Sequence, residues 1–290
     1  LLVMLGDREE SIATAVVGNY MEKLVVHIGG GDTVYGNADD PMRFAVSKLS
    51  HLHCCTAKSY AQNLINIGEE DFRVFFTGNP SYVNIKNIKQ IPRKKLFKTL
   101  GFSNENYIVL INHPLSSELT DTRKQTEVLL SAIKNFCIEN DYHTLCIPPN
   151  SDPGSHDIKN IINEYRAESW FTKLETQPRE IFINLIRNAT ALIGNSSMGI
   201  LEAPFYKLPV INVGNRQKGR LNAGNVNFVD HKESQIIEAL NQACLDSSYR
   251  SKVSKIVNPF GDENSAVNIK DAIESINLND KKWYIKRKLC

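Results

Sequence analysis

The residues between Ala191 and Arg220 have the types and the spacing of a site for a phosphorylated ligand. An apolar run ending at Ile193 is followed by Gly-Asn-Ser-Ser, a helical stretch with one early carboxylate, a second apolar run and two arginines. Ser196 or Ser197 can cap the expected helix, and the free N–H groups of a first helical turn attract anions. The segment therefore predicts an anion site after the first apolar run.

Three further side chains of this segment suit a nucleotide. Glu202 lies about one and a half turns further along the expected helix, where a carboxylate can accept both hydroxyls of a ribose. Arg216 and Arg220 can fork onto phosphate oxygens. A serine cap or a single arginine is most often structural, but this order on one strand–helix–strand unit favours a nucleotide-diphosphate site.

Carboxylates follow expected strands in the first half of the chain. Asp7 comes directly after the strand Leu1–Leu5, and Asp32 comes after the strand Leu24–Ile28 and three glycines. Capping of the next helix is an equal alternative for Asp7. The glycines before Asp32 permit close approach of backbone or ligand, which favours a functional role for this carboxylate.

Two more titratable groups fit the same pattern. Asp40 in front of Pro41 fits an N-cap followed by the first helical residue, which leaves Asp39 without a structural task. His113 follows a strand of the second half, where a histidine is most often a satisfied hydrogen-bonding residue. If it faces Asp32 across a cleft, it can act in acid–base chemistry.

These positions require elements that bring strand ends together, and the apolar periodicity supplies them. In the first half we expect strands at Leu1–Leu5, Leu24–Ile28, His53–Ala57 and Arg73–Thr77, and helices at Glu9–Tyr20, Pro41–Ser50 and Lys58–Ile67. In the second half we expect strands at Tyr107–Asn112, Thr144–Pro148, Trp170–Leu174, Ala191–Gly194 and Val210–Val213, and helices near Arg123–Glu139, His156–Tyr165, Arg179–Asn188 and Gly199–Tyr206. The alternation predicts an α/β fold with two parallel sheets, and the polar stretch Asn79–Asn106 marks the boundary.

Composition limits the function classes. A chain of 290 residues with 42% hydrophobic content fits two domains. A net charge of +2 is too mild for a nucleic-acid-binding protein, and no apolar run approaches the ~20 residues of a membrane helix. The six cysteines lack metal-ligand spacing and, with no signal peptide, indicate the cytoplasm. The basic tail 281–288 is interpreted as a solvated helix end or, alternatively, as a contact for an anionic partner.

Short motifs occur along the chain in the order found in one known family. They are Gly6-Asp7-Arg8, His27-Ile28 with the following glycines, the helix from Asp39 to Lys48, Ser50-His51-Leu52-His53, Gly78-Asn79-Pro80-Ser81-Tyr82, His113-Pro114, Pro149-Asn150-Ser151-Asp152, Gly194-Asn195-Ser196-Ser197 and Arg216-Gln217. With them the chain resembles the hydrolysing UDP-N-acetylglucosamine 2-epimerases of sialic-acid biosynthesis. The resemblance implies two Rossmann-like domains of the glycosyltransferase-B type, at 1–82 and 83–262, with a C-terminal helix or tail at 263–290 that crosses back to the first domain. Family members have further elements before the Gly-Asp-Arg strand, so the resemblance implies an N-terminally truncated chain with an incomplete first domain.

The resemblance also implies a reaction. Such enzymes eliminate UDP to leave a 2-acetamidoglucal and then add water to give free N-acetylmannosamine. The implied catalytic residues are Asp7, Asp32, Asp39 and His113. The implied substrate-binding residues are Arg8, Asn150, Gly194, Asn195, Ser196, Ser197, Glu202, Arg216 and Arg220. The implied partner is a UDP-sugar substrate, without metal, cofactor, nucleic acid or membrane, in a homodimer or homotetramer.

The chain departs from the family pattern at three residues. The animal-type family motif is His-Ile-Glu-Gly-Gly-Glu. This chain has Gly29 in place of the first glutamate and Asp32 in place of the second, and it has Phe44 in place of the histidine after Arg43. The same reaction on a UDP- or GDP-linked 2,4-diacetamido-trideoxyhexose is therefore an alternative. A glycosyltransferase of the same fold, or a non-catalytic nucleotide-sugar-binding fragment, is a further alternative.

Overall fold

The computed structural model of the protein describes residues 1–34, 39–102 and 106–286, and the chain divides into two compact units. Unit 1 comprises residues 1–87 and 258–290, and unit 2 comprises residues 88–257. Each boundary lies five residues from the expected one, at 87 instead of 82 and at 257 instead of 262.

Unit 1 begins with four strands separated by helices. The strands are β1 (Leu2–Leu5), β2 (Val25–Ile28), β3 (Leu52–Cys55) and β4 (Val74–Phe76), and the helices are α1 (Glu9–Tyr20), α2 (Asp39–Leu49), α3 (Lys58–Asn66) and α4 (Ser81–Asn87). The strands are parallel and lie in the order β1-β2-β3-β4. Strand β1 is at an edge of this sheet, and its side chains Val3 and Leu5 are exposed.

Unit 2 contains a six-stranded parallel sheet. Its strands are β5 (Tyr107–Ile111), β6 (His143–Ile147), β7 (Phe171–Lys173), β8 (Ala191–Gly194), β9 (Val210–Val213) and β10 (Val226–Val229). Its helices are α5 (Arg93–Leu100), α6 (Thr122–Asn140), α7 (Ser155–Glu164), α8 (Arg179–Asn188), α9 (Met198–Leu201), α10 (Glu233–Leu245) and α11 (Ser247–Ser254), with 3-10 helices at Ser116–Asp121 and Ala203–Tyr206. The order β10-β9-β8-β5-β6-β7 is that of a dinucleotide-binding fold, in which the chain first moves outward from β5 and then returns to its other side at β8.

The central strand β5 shows why this sheet is covered on both faces. All five of its residues are buried. Ile108 and Leu110 pack into one hydrophobic cluster, whereas Tyr107, Val109 and Ile111 pack into another. Because successive side chains of a strand point to opposite faces, helices must cover both faces. The prediction of an α/β protein with two Rossmann-like parallel sheets is confirmed.

The C-terminal segment packs within unit 1. It contains α12 (Ser265–Glu274) and a 3-10 helix at Lys281–Trp283, and Trp283 is buried in the core beside β2 and β3. Arg73 donates to the carbonyl oxygens of Trp283 at 2.9 Å and Ile285 at 2.8 Å. Lys286 lies 2.9 Å from the Glu69 carboxylate and donates to Lys48 O at 2.8 Å. Lys286 is thus paired inside the unit, whereas Lys281 and Lys282 are exposed, as the interpretation of a solvated end expects.

Two local features differ from the sequence-based expectations. The stretch Asn79–Asn106 does contain the boundary between the units, but it also forms the helices α4 and α5, which the sequence did not predict. The single helix expected at Gly199–Tyr206 is divided at Glu202, since Pro204 has no N–H to continue it. Among the described residues, no helix is both long and apolar enough to cross a bilayer.

Gly194 provides a test of how closely β8 and β5 approach. Its φ is +128°, and an added Cβ would lie 2.0 Å from Ile111 O. We expect Gly194→Ala to destabilise unit 2 by at least twice as much as Gly219→Ala. Gly219 also has a positive φ, +81°, but no atom lies within 4 Å of its added Cβ, so its substitution should cost only about 1 kcal/mol. Urea denaturation in a Trp283→Phe background, where the fluorescence of Trp170 reports on unit 2, measures both, and equal losses would contradict the packing.

Candidate active site

The expected nucleotide site lies at the switch point of unit 2, where β5 and β8 are neighbours. Their pairing places Ile111 beside Gly194, so the loops after both strands begin at one edge of the sheet. From there the chain continues to α6 and β6 on one side and to α9 and β9 on the other. Ligands of such sheets bind between the diverging loops.

The side chain of Asn195 ties the two loops together. Its Oδ1 accepts a hydrogen bond from the His113 N–H at 2.8 Å, and its Nδ2 donates to His113 O at 2.8 Å. Its backbone carbonyl accepts from Arg216 Nη1 at 3.1 Å and from Gln217 Nε2 at 3.2 Å. Asn195 thus organises three loops, and its expected direct contact with substrate stays a prediction.

Ser196 and Ser197 occupy the turn between β8 and α9, and both are half-buried. The helix that follows has only four residues, so its dipole contributes less than a full helix would. Ser197 stands at the N-cap but makes no capping hydrogen bond through its side chain within the described residues. The Ser196 hydroxyl accepts only a long bond, 3.4 Å, from Met198 N. Among the described residues Ser197 therefore occupies the predicted N-cap position without the predicted capping bond, and contact of its hydroxyl with a ligand stays a prediction.

Glu202 lies at the break between α9 and the following 3-10 helix. Its side chain is 19% exposed, and Oε2 is 3.9 Å from Arg179 Nη2. Burial raises the pKa of Glu202, and Arg179 opposes this shift. In the described part of the chain, Oε2 is buried without a hydrogen-bond partner. A buried carboxylate oxygen of this kind needs a donor, which a ligand hydroxyl can supply.

His113 is held neutral beside this turn. Burial, the largest cause, and the charge of Arg216 together lower the pKa of His113 to about 4, against the opposing effect of Asp152. Its Nδ1 accepts a long hydrogen bond, 3.4 Å, from Asn150 N, so in this tautomer Nε2 carries the hydrogen. The Asn150 side chain bonds to Asp152 at 2.6 Å on the exposed surface.

The two expected phosphate-binding arginines differ in their surroundings. Arg216 is half-buried and reaches the Asn195 loop. Arg220 is only 5% exposed, and its Nη1 donates to Gln217 Oε1 at 2.7 Å. Arg220 therefore holds the side chain of Gln217, and direct phosphate contact by Arg220 stays a prediction.

In unit 1, Arg43 connects three segments that carry the expected carboxylates. Its guanidinium pairs with the Asp7 carboxylate after β1. It also donates to Asp40 Oδ1 at 3.1 Å and to the backbone carbonyl of Asp32 at 2.9 Å. Arg43 had no predicted role, although its spacing of three residues from Asp40 on one helix indicates that pair.

The other expected residues of unit 1 fall into distinct environments. Asp32 is buried, whereas Arg8 is exposed at the start of α1. Asp40 is inside α2 and accepts from Val34 N at 2.7 Å, so it is not the N-cap that the sequence predicted. Asp39 is the first residue of α2, and its side chain lies outside the described part of the structure.

A ring of contacts through His27 fixes the Asp7–Arg43 pair. His27 Nε2 lies 2.8 Å from the carbonyl of Gly6, which precedes Asp7. His27 Nδ1 lies 3.0 Å from the hydroxyl of Ser47, which in turn donates to Arg43 O at 3.0 Å. Burial lowers the pKa of His27 to about 3, so its imidazole is neutral. Since a carbonyl can only accept, Nε2 carries the hydrogen and Nδ1 is an acceptor. The single hydrogen of the Ser47 hydroxyl can then be donated either to Nδ1 or to Arg43 O, but not to both at once.

The three glycines after β2 have different reasons to be glycine. An added Cβ would lie 2.8 Å from His27 Nδ1 at Gly30 and 2.1 Å from a backbone oxygen at Gly31. At Gly29 the nearest atom would be Gly6 N at 3.9 Å. Gly29, at the position of the missing family glutamate, therefore has room for a Cβ, but its φ of +85° is a left-handed conformation that favours glycine.

Residues 1–274 match the family model for UDP-N-acetylglucosamine 2-epimerase. The chain belongs to the UDP-N-acetylglucosamine 2-epimerase family. This confirms the resemblance carried by the motifs. Among the described residues of this epimerase-family chain, no group of three histidine, cysteine, aspartate or glutamate side chains could hold a metal ion.

Known relatives and structures extend the comparison. The polysialic acid biosynthesis protein P7 of Escherichia coli is 31% identical over 287 residues, which cover 98% of this chain and 73% of that protein. The GDP/UDP-N,N'-diacetylbacillosamine 2-epimerase (hydrolyzing) of Campylobacter jejuni is 35% identical over 229 residues, or 78% of this chain and 59% of that protein. The UDP-GlcNAc 2-epimerase of Neisseria meningitidis, solved with UDP-GlcNAc bound, superposes with a TM-score of 0.80 at 20% identity, covering 94% of this chain and 76% of that chain. This last likeness supports the fold.

The ring through His27 predicts a pH dependence of stability. The unfolded chain binds a proton at the ordinary histidine pKa of 6.5, whereas folded His27 does so only at about 3. Its contribution to stability is therefore complete above pH 6.5 and is lost as the pH falls toward 3. We expect His27→Gln to reduce the slope of unfolding free energy against pH between pH 6 and 4 by up to about 1.4 kcal/mol per pH unit.

Urea denaturation in a Trp170→Phe background measures this slope, because Trp283 then reports on unit 1. His156→Gln, at an exposed position on α7, is the matched control and should leave the slope unchanged. Equal slopes for His27→Gln and its parent would show that the imidazole is not kept neutral by the fold.

Proposed function

We propose that the protein is a hydrolysing 2-epimerase that converts UDP-N-acetylglucosamine to UDP and free N-acetylmannosamine. One observation supports this most directly: Asn195 gathers His113, Arg216 and the serine turn at one edge of unit 2. Such a cluster of fixed donors stabilises an anionic leaving group without reorganisation.

Unit 2 supplies the groups for the leaving nucleotide. Arg216 and Ser197 bind the diphosphate by charge-assisted hydrogen bonds. The neutral His113 donates through Nε2 to a phosphate or sugar oxygen. Glu202 accepts the ribose hydroxyls, which satisfies its buried Oε2.

Unit 1 supplies the groups for proton transfer. Asp7, Asp32 and Asp39 are the proposed carboxylates, and Arg43 orients Asp7 and anchors the backbone at Asp32. A carboxylate removes the proton at the second sugar carbon while the bond from the first carbon to UDP oxygen breaks, leaving a 2-acetamidoglucal. Water then adds its hydroxyl to the first carbon, and a proton returns to the second carbon from the opposite face.

Glycine at position 29, where the family motif has a glutamate, favours a second candidate substrate. A UDP- or GDP-linked 2,4-diacetamido-trideoxyhexose carries an additional acetamido group, which needs room that a glutamate side chain would fill. Two relatives, 35% and 31% identical, are named diacetylbacillosamine 2-epimerases (hydrolyzing). Their names also support hydrolysis over epimerisation of the intact nucleotide sugar.

Incubation with each nucleotide sugar in D2O, without any acceptor, tests the reaction. We expect UDP and a free 2-epimerised sugar. Deuterium at the second carbon of this sugar is detected as the loss of that carbon's signal from the proton NMR spectrum. Asp7→Asn and Asp32→Asn should lose this incorporation while UDP binding is retained, because both residues are in unit 1.

The alternatives give different products. Accumulation of an epimerised nucleotide sugar without free sugar would contradict hydrolysis. Nucleotide sugars that stay intact until an acceptor is added would indicate a glycosyltransferase, and UDP binding without any turnover would indicate a binding module.

A further inference from the structure

Glu118 bridges two elements beside the proposed diphosphate site. It lies in the 3-10 helix Ser116–Asp121, five residues after His113. Its Oε1 accepts a hydrogen bond from Asn215 Nδ2 at 2.8 Å, and its Oε2 accepts from Gln125 Nε2 at 2.7 Å. The carboxylate therefore connects α6 to the loop after β9.

That loop carries Arg216 directly after Asn215. The loop leaves the sheet at Gly214, whose N–H donates to Val229 O at 2.8 Å. The ring of His231 packs against Gly214 so closely that an added Cβ would lie 2.3 Å from Cε1. Asn215 is exposed, and its bond to Glu118 ties this loop to the 3-10 helix before α6.

Two anchors thus flank the arginine. On one side Asn215 is held by Glu118, and on the other the guanidinium of Arg216 reaches Asn195 O at 3.1 Å. A long side chain on an exposed loop otherwise loses conformational freedom on binding an anion, and prior fixation reduces that loss.

We propose that Glu118 is a positioning residue, which holds Arg216 through Asn215 in the orientation that meets the phosphates of a nucleoside diphosphate. This inference rests on the proposed function. The negative charge of Glu118 by itself disfavours a nearby phosphate. Positioning and charge therefore have opposite effects on affinity and can be separated.

Calorimetric titration of the full chain with UDP and with uridine is the test. We expect Glu118→Ala to weaken UDP binding about tenfold and to change uridine binding by less than about twofold, because only phosphate contacts depend on Arg216. Asn215→Ala should have the same two effects on UDP and uridine binding. Glu118→Gln keeps an acceptor oxygen for Asn215 and removes the negative charge, so it should retain UDP affinity or increase it.

A double-mutant cycle distinguishes positioning from general loss of structure. Once Arg216→Ala has removed the guanidinium, adding Glu118→Ala should cost no further UDP affinity. Glu127→Ala removes a carboxylate that pairs with Arg123 on the surface of α6, and it should leave both affinities unchanged. If Glu118→Ala does not fold, the exposed Asn215→Ala carries the test.

The outcomes are distinguishable. UDP preference over uridine that persists in Glu118→Ala and Asn215→Ala, or that increases, would overturn the positioning role. Additive losses in the cycle would overturn it as well. A wild-type chain that binds UDP no better than uridine would overturn the proposed function itself.

Discussion

One side-chain amide, that of Asn195, holds the nucleotide half of the site together. At the switch point the loops after β5 and β8 diverge. The Asn195 amide connects them by hydrogen bonds to both the N–H and the carbonyl of His113. The carbonyl of the same residue then collects Arg216 and Gln217 from a third loop. Because these loops are fixed in advance, less conformational entropy is lost when a diphosphate binds.

Unit 1 uses a buried charge for the same purpose. A buried guanidinium must be paired, and Arg43 finds its partners in three separate segments of the chain. The pairing aligns the Asp7 carboxylate and anchors the loop at Asp32. The neutral His27 braces this arrangement from inside the sheet. Both halves of the proposed chemistry therefore rest on polar networks in which one residue satisfies several chain segments.

The sequence predicted the strand-end location of these groups but not the networks that hold them. Strand periodicity is local, and it placed Asp7, Asp32, His113 and the serine turn correctly after their strands. Arg43 was missed because its partner Asp7 is 36 residues away, and a helical arginine is most often solvated. The division of the helix at Glu202 could have been predicted from Pro204, which has no N–H to continue a helix. The exposed Asn215 bridge to Glu118 spans 97 residues and has no local signature.

A crystal structure of the protein with UDP tests the central claim most directly. We predict the diphosphate at the turn after β8, within hydrogen-bond distance of the Arg216 guanidinium and the Ser197 hydroxyl, with the ribose hydroxyls on Glu202. The Asn195 amide should remain paired with His113 as it is without ligand. UDP bound away from this turn, or bound there with the Asn195 amide released from His113, would contradict the claim.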